Sequence, residues 1–123
     1  MIKKTQKKNA IGLHIIGEIS TKNQIRLKSC ESARNEISHV IKKFSLKELG
    51  SFYYQFPEGG FTGVVSLVES HMAIHTWPEF GYLTLDVYLC NYSKDNTKTC
   101  KSVFDEISKF FNPIKVTKRL IKR

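Results

Sequence analysis

Cysteine is scarce in this chain of 123 residues: Cys30, Cys90 and Cys100 are odd in number, widely separated and never spaced as Cys-x-x-Cys. That pattern supports neither a disulfide framework nor a zinc site, so a reducing, cytoplasmic setting is expected. Long apolar runs are missing too. No stretch approaches the roughly 20 residues that span a bilayer, and no signal-peptide core follows the basic N-terminus, so the chain reads as soluble and unexported. Repeats, low-complexity tracts and linkers are absent. One domain over residues 1–123 is expected, large enough for a core but too small to hold a cleft between two domains.

What the chain does have is positive charge. Lys and Arg outnumber Asp and Glu by 20 to 11. The excess gathers at the ends, in Lys3, Lys4, Lys7 and Lys8 and in Lys115, Lys118, Arg119, Lys122 and Arg123. Such tails attract polyanions. Without zinc-finger spacing or a basic-aromatic stacking motif, solvated surface charge is the simpler reading and a nucleic-acid partner is not expected.

Hydrophobic periodicity predicts the elements. After a lysine-rich segment 1–9, expected to fray, Ala10 to Ile19 reads as a strand, with His14 and Glu18 on one parity. Ala33, Ile37, Val40, Ile41 and Phe44 recur at helical spacing and predict an amphipathic helix from Ser29 to Phe44, with His39 and Cys30 as packing or boundary residues. Gly50 to Phe56 and Thr62 to Glu69 read as two strands joined by the turn Pro57-Glu58-Gly59-Gly60. In the second of these Val64, Ser66 and Val68 alternate with Val65, Leu67 and Glu69, which predicts that both faces are largely covered. Met72 to Thr76 is a short extended run, and Pro78 holds Trp77 extended. From Leu83 to Cys90 a strand alternates Leu83, Leu85, Val87 and Leu89 with Thr84, Asp86, Tyr88 and Cys90, leaving a polar side able to line a site. A second helix carries Val103, Phe104, Ile107, Phe110 and Phe111 and stops at Pro113. Ile114 to Ile121 alternates weakly and predicts a lysine-guarded edge strand. The order predicts an α+β two-layer sandwich, a mainly antiparallel sheet with two helices packed on one face.

Chemistry concentrates between Gly59 and Cys90. Glu69-Ser70-His71 puts a serine between an acid and a histidine, and His75 follows. On an extended strand residues 71 and 75 share a parity opposite to Ser70, and no Gly-x-Ser-x-Gly elbow occurs, so a hydrolase is weakly supported. His71 and His75 with Glu79 could suggest a metal, but His-x3-His is ligand-like mainly on a helix, and no metal is expected. Plain sheet packing accounts for any one of His71, His75 and Trp77 alone, less comfortably for all three around one serine.

The run Thr-Gly-Val-Val-x-Leu-x-Glu-Ser-His-x-x-Ile-His-Thr-Trp-Pro-Glu-x-Gly-Tyr, continuing through Asp86-Val87-Tyr88 to Cys90, closely resembles the small prokaryotic S-adenosylmethionine decarboxylase proenzymes. Similarity is tight over about a quarter of the chain and loose over most of it. The resemblance implies self-cleavage between Glu69 and Ser70 into 1–69 and 70–123. It further implies a pyruvoyl cofactor made from Ser70, with no pyridoxal phosphate (PLP) and no metal. The pyruvoyl ketone would form a Schiff base with the substrate amine and accept electrons as carbon dioxide leaves. By the same resemblance, His75 and Thr62 assist self-processing, Cys90 returns a proton to the substrate carbon, Phe56 stacks on adenine, and Trp77 and Glu79 belong to the substrate pocket. A homodimer of cleaved protomers supplying spermidine synthesis is implied. The chain departs from the family pattern at Glu18-Ile19-Ser20-Thr21 and at Asn91, where a glycine is common. Two rivals stand beside this reading: a pyruvoyl-dependent ornithine or arginine decarboxylase, and a non-catalytic basic domain associated with nucleic acid.

Overall fold

Alternation of apolar and polar residues builds most of this structure, a computed structural model that describes residues 11–92 and 94–123. In β5 (Tyr82–Cys90), Leu83, Leu85, Val87 and Leu89 are fully buried while the residues between them face the other way. β1 (Gly12–Thr21) buries Leu13, Ile15 and Ile19 on the same side. β3 (Phe61–Leu67) buries Phe61, Val65 and Leu67, and β4 (Ser70–Trp77) buries Met72, Ile74 and Thr76. β2 (Glu48–Gln55) and β6 (Pro113–Lys122) are exposed along most of their length, as expected of edges. All six strands pair antiparallel in the order β2-β3-β4-β5-β1-β6.

Helices cover one face. α2 (Cys30–Lys43) starts at Ser29, whose side chain accepts from the Ser32 amide at 3.2 Å, filling one of the donors a helix start leaves open. Its buried Ala33, Ile37, Val40 and Ile41 form one stripe. α3 (Thr97–Phe110) buries Cys100, Val103, Phe104 and Ile107 against β1 and β5 and touches α2. The two-layer α+β sandwich is therefore as the sequence pattern predicts.

Three details differ. β1 runs to Thr21, two residues beyond the expected Ile19, because Ser20 still pairs with Tyr82 and the Thr21 hydroxyl donates to the Phe111 carbonyl at 2.5 Å. Its expected start, Ala10, and the segment 1–9 lie outside the described residues. α1 (Gln24–Lys28) was not anticipated: five residues are too few for a periodic stripe, and the Asn23 side chain starts it by accepting from the Arg26 amide at 3.1 Å. The expectation that both faces of β3 are covered is wrong. Val64 is 47% exposed and Val68 38%, because among the described residues no element packs on their side of the sheet. Among the described residues no helix is long and apolar enough to cross a membrane.

The sheet and α3 meet closely at Gly17, where an added Cβ would lie 2.3 Å from Cζ of Phe104. Phe104 is fully buried and has nowhere to retreat. Gly17→Ala is therefore expected to lower stability by about 1–3 kcal/mol through overpacking, read as a lower urea midpoint at unchanged slope; an unchanged midpoint would show that the ring relaxes freely.

Candidate active site

Because the strands are in register, the uncovered face is ordered in rows. Thr62, His75, Thr84 and Glu18 lie side by side across β3, β4, β5 and β1. Val64, Ala73, Asp86 and Ile16 form the next row, and Ser66, His71, Tyr88 and His14 the one after.

The first row opens into a cavity of about 500 Å³ lined by Phe56, Glu58, Gly60, Phe61, Thr62, His75, Thr76, Trp77 and Glu79. Several local devices shape it. The β2–β3 turn runs close to β4 at Gly60, where a Cβ would stand 2.8 Å from the Thr76 carbonyl oxygen. Thr76 ties the wall to the helix layer, donating to the Leu27 carbonyl at 2.8 Å and accepting from the Phe61 amide at 3.0 Å. After Trp77 the chain turns sharply through Pro78–Phe80 and leaves at Gly81 with φ +57°, a left-handed conformation that suits glycine. Inside the cavity the Thr62 hydroxyl and His75 Nδ1 are 2.6 Å apart. The His75 and Trp77 rings stand 6.2 Å apart and Trp77 and Tyr82 5.6 Å.

The second cluster surrounds the β3–β4 connection. Ser70 has φ +120°, a region that costs a non-glycine residue of order 1–3 kcal/mol. The carbonyl oxygen of Glu69, the acyl side of the Glu69–Ser70 peptide, accepts from the backbone N–H of Cys90 at 2.9 Å. That donor is aimed where negative charge would develop if Ser70 attacked the carbonyl. The Ser70 hydroxyl lies 3.4 Å from His71 Nδ1. Burial, and secondarily the Glu69 carboxylate, push the Cys90 thiol above its ordinary range, so it keeps its proton at neutral pH. Asn96, fully buried, donates through Nδ2 to Oε2 of Glu69 at 2.5 Å and to the Cys90 carbonyl at 2.9 Å.

The structure thus brings Phe56, Thr62, His75, Trp77 and Glu79 together at one end of the sheet face and Glu69, Ser70 and Cys90 at the other. It does not bring the two sets together within one chain: Ser70 and His75 are five residues apart on β4, about 17 Å at strand rise. His71 and His75 stand about 13 Å apart by the same rise, too far to share one ion. Sequence reasoning underrated His71. Its parity is opposite to that of Ser70, but the positive φ at Ser70 swings the hydroxyl toward it. Asn96 carries no signal of its own in the sequence, and nothing in linear spacing links it to Glu69.

A shaped cavity on a polar sheet face, with a strained Glu-Ser peptide and a protonated thiol at its far end, is the equipment of an enzyme rather than of a passive binding domain. The sequence model of S-adenosylmethionine decarboxylase matches residues 13–123, and the chain belongs to that family. The S-adenosylmethionine decarboxylase proenzyme of Thermoplasma volcanium is 36% identical over 94% of this chain and 86% of that protein. Its counterpart from Aquifex aeolicus is 37% identical over 92% of this chain and 81% of that protein. A crystal structure of the adenosylmethionine decarboxylase from Aquifex aeolicus superposes with a TM-score of 0.83 at 34% identity, covering 94% of this chain and 92% of the other.

The raised Cys90 thiol gives a chemical test. Its proton-donating form is present below its pKa and is lost only above the ordinary thiol range of about 8.5. Iodoacetamide at about pH 7.5 is expected to label Cys90 more slowly than a free thiol, with the rate climbing at higher pH, followed by peptide mass mapping. Labelling of Cys90 as fast as a free thiol would contradict the assignment.

Proposed function

We propose that this chain cleaves itself between Glu69 and Ser70, carries the resulting pyruvoyl group at residue 70, and decarboxylates S-adenosylmethionine as a cytoplasmic homodimer, feeding spermidine synthesis. The observation that carries the reading is the scissile peptide: a serine with φ +120° whose preceding carbonyl rests on the Cys90 amide at 2.9 Å. Attack of the Ser70 hydroxyl oxygen on the Glu69 carbonyl carbon forms an ester as the C–N bond breaks and the hydroxyl proton passes to the departing nitrogen. Loss of the Ser70 α-proton then expels the Glu69 carboxylate and leaves an enamine, which takes a proton at its β-carbon and gives one up from nitrogen to become an imine. Water hydrolyses that imine to a ketone and ammonia. The relatives' description as proenzymes is consistent with this sequence of steps.

The residues here fit such a group. The pyruvoyl carbonyl would bind the substrate's amine and take up the electron pair released with carbon dioxide. Cys90, protonated beside it, has the proton that the substrate carbon needs in return. Phe56 and Trp77 offer aromatic faces, and Glu58 and Glu79 offer carboxylates, to the same cavity. Together they favour a flat, positively charged nucleoside. Ornithine and arginine carry cations but no ring for those faces to stack on.

The distance between the two clusters supports the homodimer. Thr62 and His75 cannot reach Ser70 of their own chain. A second copy laid on the uncovered face, turned by a two-fold axis near the Val64–Ala73–Asp86 row, would bring the cavity end of one protomer over the Ser70 end of its partner. Phe52 at 67% exposure and Tyr54 and Val64 at 47% each supply apolar surface for such a contact. The free state of Cys30, Cys90 and Cys100 supports a reducing compartment.

Intact mass of freshly purified protein is expected to give two fragments for the natural chain and one full-length, inactive chain for Ser70→Ala. Cleavage of that variant at the same bond would refute self-processing. Carbon dioxide release measured in parallel from S-adenosylmethionine, ornithine and arginine identifies the substrate. An inert, uncleaved natural chain that binds nucleic acid would replace the enzymatic reading. Coexpression of differently tagged Ser70→Ala and His75→Ala chains tests the dimer. If His75 serves the partner's serine, the His75→Ala chain is cleaved in the mixture though not alone; no cleavage in the mixture would mean that the histidine acts within its own chain.

A further inference from the structure

Asn96 occupies the N-cap of α3 without acting as a cap. An asparagine there ordinarily turns its side-chain oxygen back to the first amides of the helix, but here no such hydrogen bond forms. The side chain is wholly buried and its Oδ1 has no hydrogen-bond partner. Both of its donor hydrogens go elsewhere: one to Oε2 of Glu69 at 2.5 Å, the other to the Cys90 carbonyl at 2.9 Å. The first amide of the helix is taken instead by the Asp95 side chain, which accepts from the Thr97 N–H at 2.9 Å. A residue that leaves a buried acceptor unsatisfied and gives up the capping role is held in place for some other use.

The partners indicate that use. Glu69 is the acyl half of the bond that Ser70 attacks, and its own carbonyl oxygen rests on the Cys90 amide at 2.9 Å. The Cys90 residue is therefore gripped on both sides, its N–H by the Glu69 carbonyl and its C=O by Asn96. Asn96 closes the loop by holding the Glu69 carboxylate. Three hydrogen bonds joining three residues leave the Glu69 carbonyl no freedom to rotate away from its donor. Reaction rates depend steeply on such fixed geometry.

We propose that Asn96 is a positioning residue for self-cleavage, clamping Glu69 so that the carbonyl attacked by the Ser70 hydroxyl stays on the Cys90 amide. Asn96 touches neither the attacking oxygen nor the departing nitrogen; it acts through Glu69 and the Cys90 peptide. The inference rests on the self-cleavage proposed above, and it assigns the start of α3, far from the Glu-Ser motif in sequence, a part in making the cofactor.

The test is a time course of precursor disappearance after cell-free translation, for the natural chain, Asn96→Ala, Glu69→Ala and the double variant. Loss of a hydrogen bond to a charged group predicts that Asn96→Ala cleaves at least about tenfold more slowly. If Asn96 works through Glu69, most of its effect should vanish once Glu69 is alanine, so that the double variant is scarcely slower than Glu69→Ala. A general weakening of the fold would instead multiply the two losses, and that result, or an Asn96→Ala chain cleaved at the natural rate, overturns the proposal. Should Asn96→Ala fail to fold, Asn96→Asp keeps the shape while removing the donor. It is expected to cleave slowly and to recover when combined with Glu69→Gln, which returns a donor to the contact; absence of recovery overturns the proposal equally. An uncleaved natural chain would strike at self-processing itself, so the two failures are told apart by the first lane.

Discussion

The structure depends on covering one face of a six-stranded sheet with helices while the described residues leave the other face open. The helix layer takes the residues of one parity, Leu83, Leu85, Val87 and Leu89 on β5 and Met72, Ile74 and Thr76 on β4, into a dry core. Period-two geometry then obliges the residues between them to stand together on the opposite face. His75 is presented to solvent because Thr76 is pinned to α1 through the Leu27 carbonyl. A shift of register by one residue would exchange core and site everywhere at once. The stability of the sandwich and the address of its reactive groups are one constraint.

The uncovered face is not uniform. At one end a turn held close by Gly60 and a short helical turn after Trp77 fold over the face and enclose a cavity. At the other end the β3–β4 connection carries the strained serine, beside a thiol that burial keeps protonated. Between them lies a row of small, apolar and acidic side chains, Val64, Ala73, Asp86 and Ile16. The arrangement resembles two halves of a site held apart at the ends of one surface, which gives the exposed apolar residues of β2 and β3 a reason to remain exposed.

Much of this was legible in the chain. The alternation in β5, the stripes Ala33–Ile37–Val40–Ile41 and Val103–Phe104–Ile107, and the stop at Pro113 specify the layers, because burial repeats with the period of the backbone. The Glu-Ser-His run and its downstream residues marked the family. What escaped was set by contacts distant in sequence or by one dihedral angle. The five residues of α1 were too short for a periodic signal. The bare side of β3 could not be told from a covered one, since Val64 and Val68 are apolar in either case. His71 was turned away by parity and turned back by the φ of Ser70. Asn96 meets Glu69 across 27 residues of chain, which no local pattern encodes.

The dihedral at Ser70 has one more consequence. A φ angle exists only while a residue has a peptide bond on its nitrogen side, so under the proposed cleavage residue 70 would become the first of its fragment and the disfavoured conformation would lose its meaning. The proposed conversion of the serine α-carbon to a planar ketone would also remove the chirality that made the region unfavourable. On the cleavage proposed above, the uncleaved chain alone would bear the tension, and the same fold would hold the severed one at rest. Folding would then act as a ratchet: the six strands hold a disfavoured torsion beside a bond that the cleaved protein would not need, and the structure would suit the two pieces better than the one chain that made it.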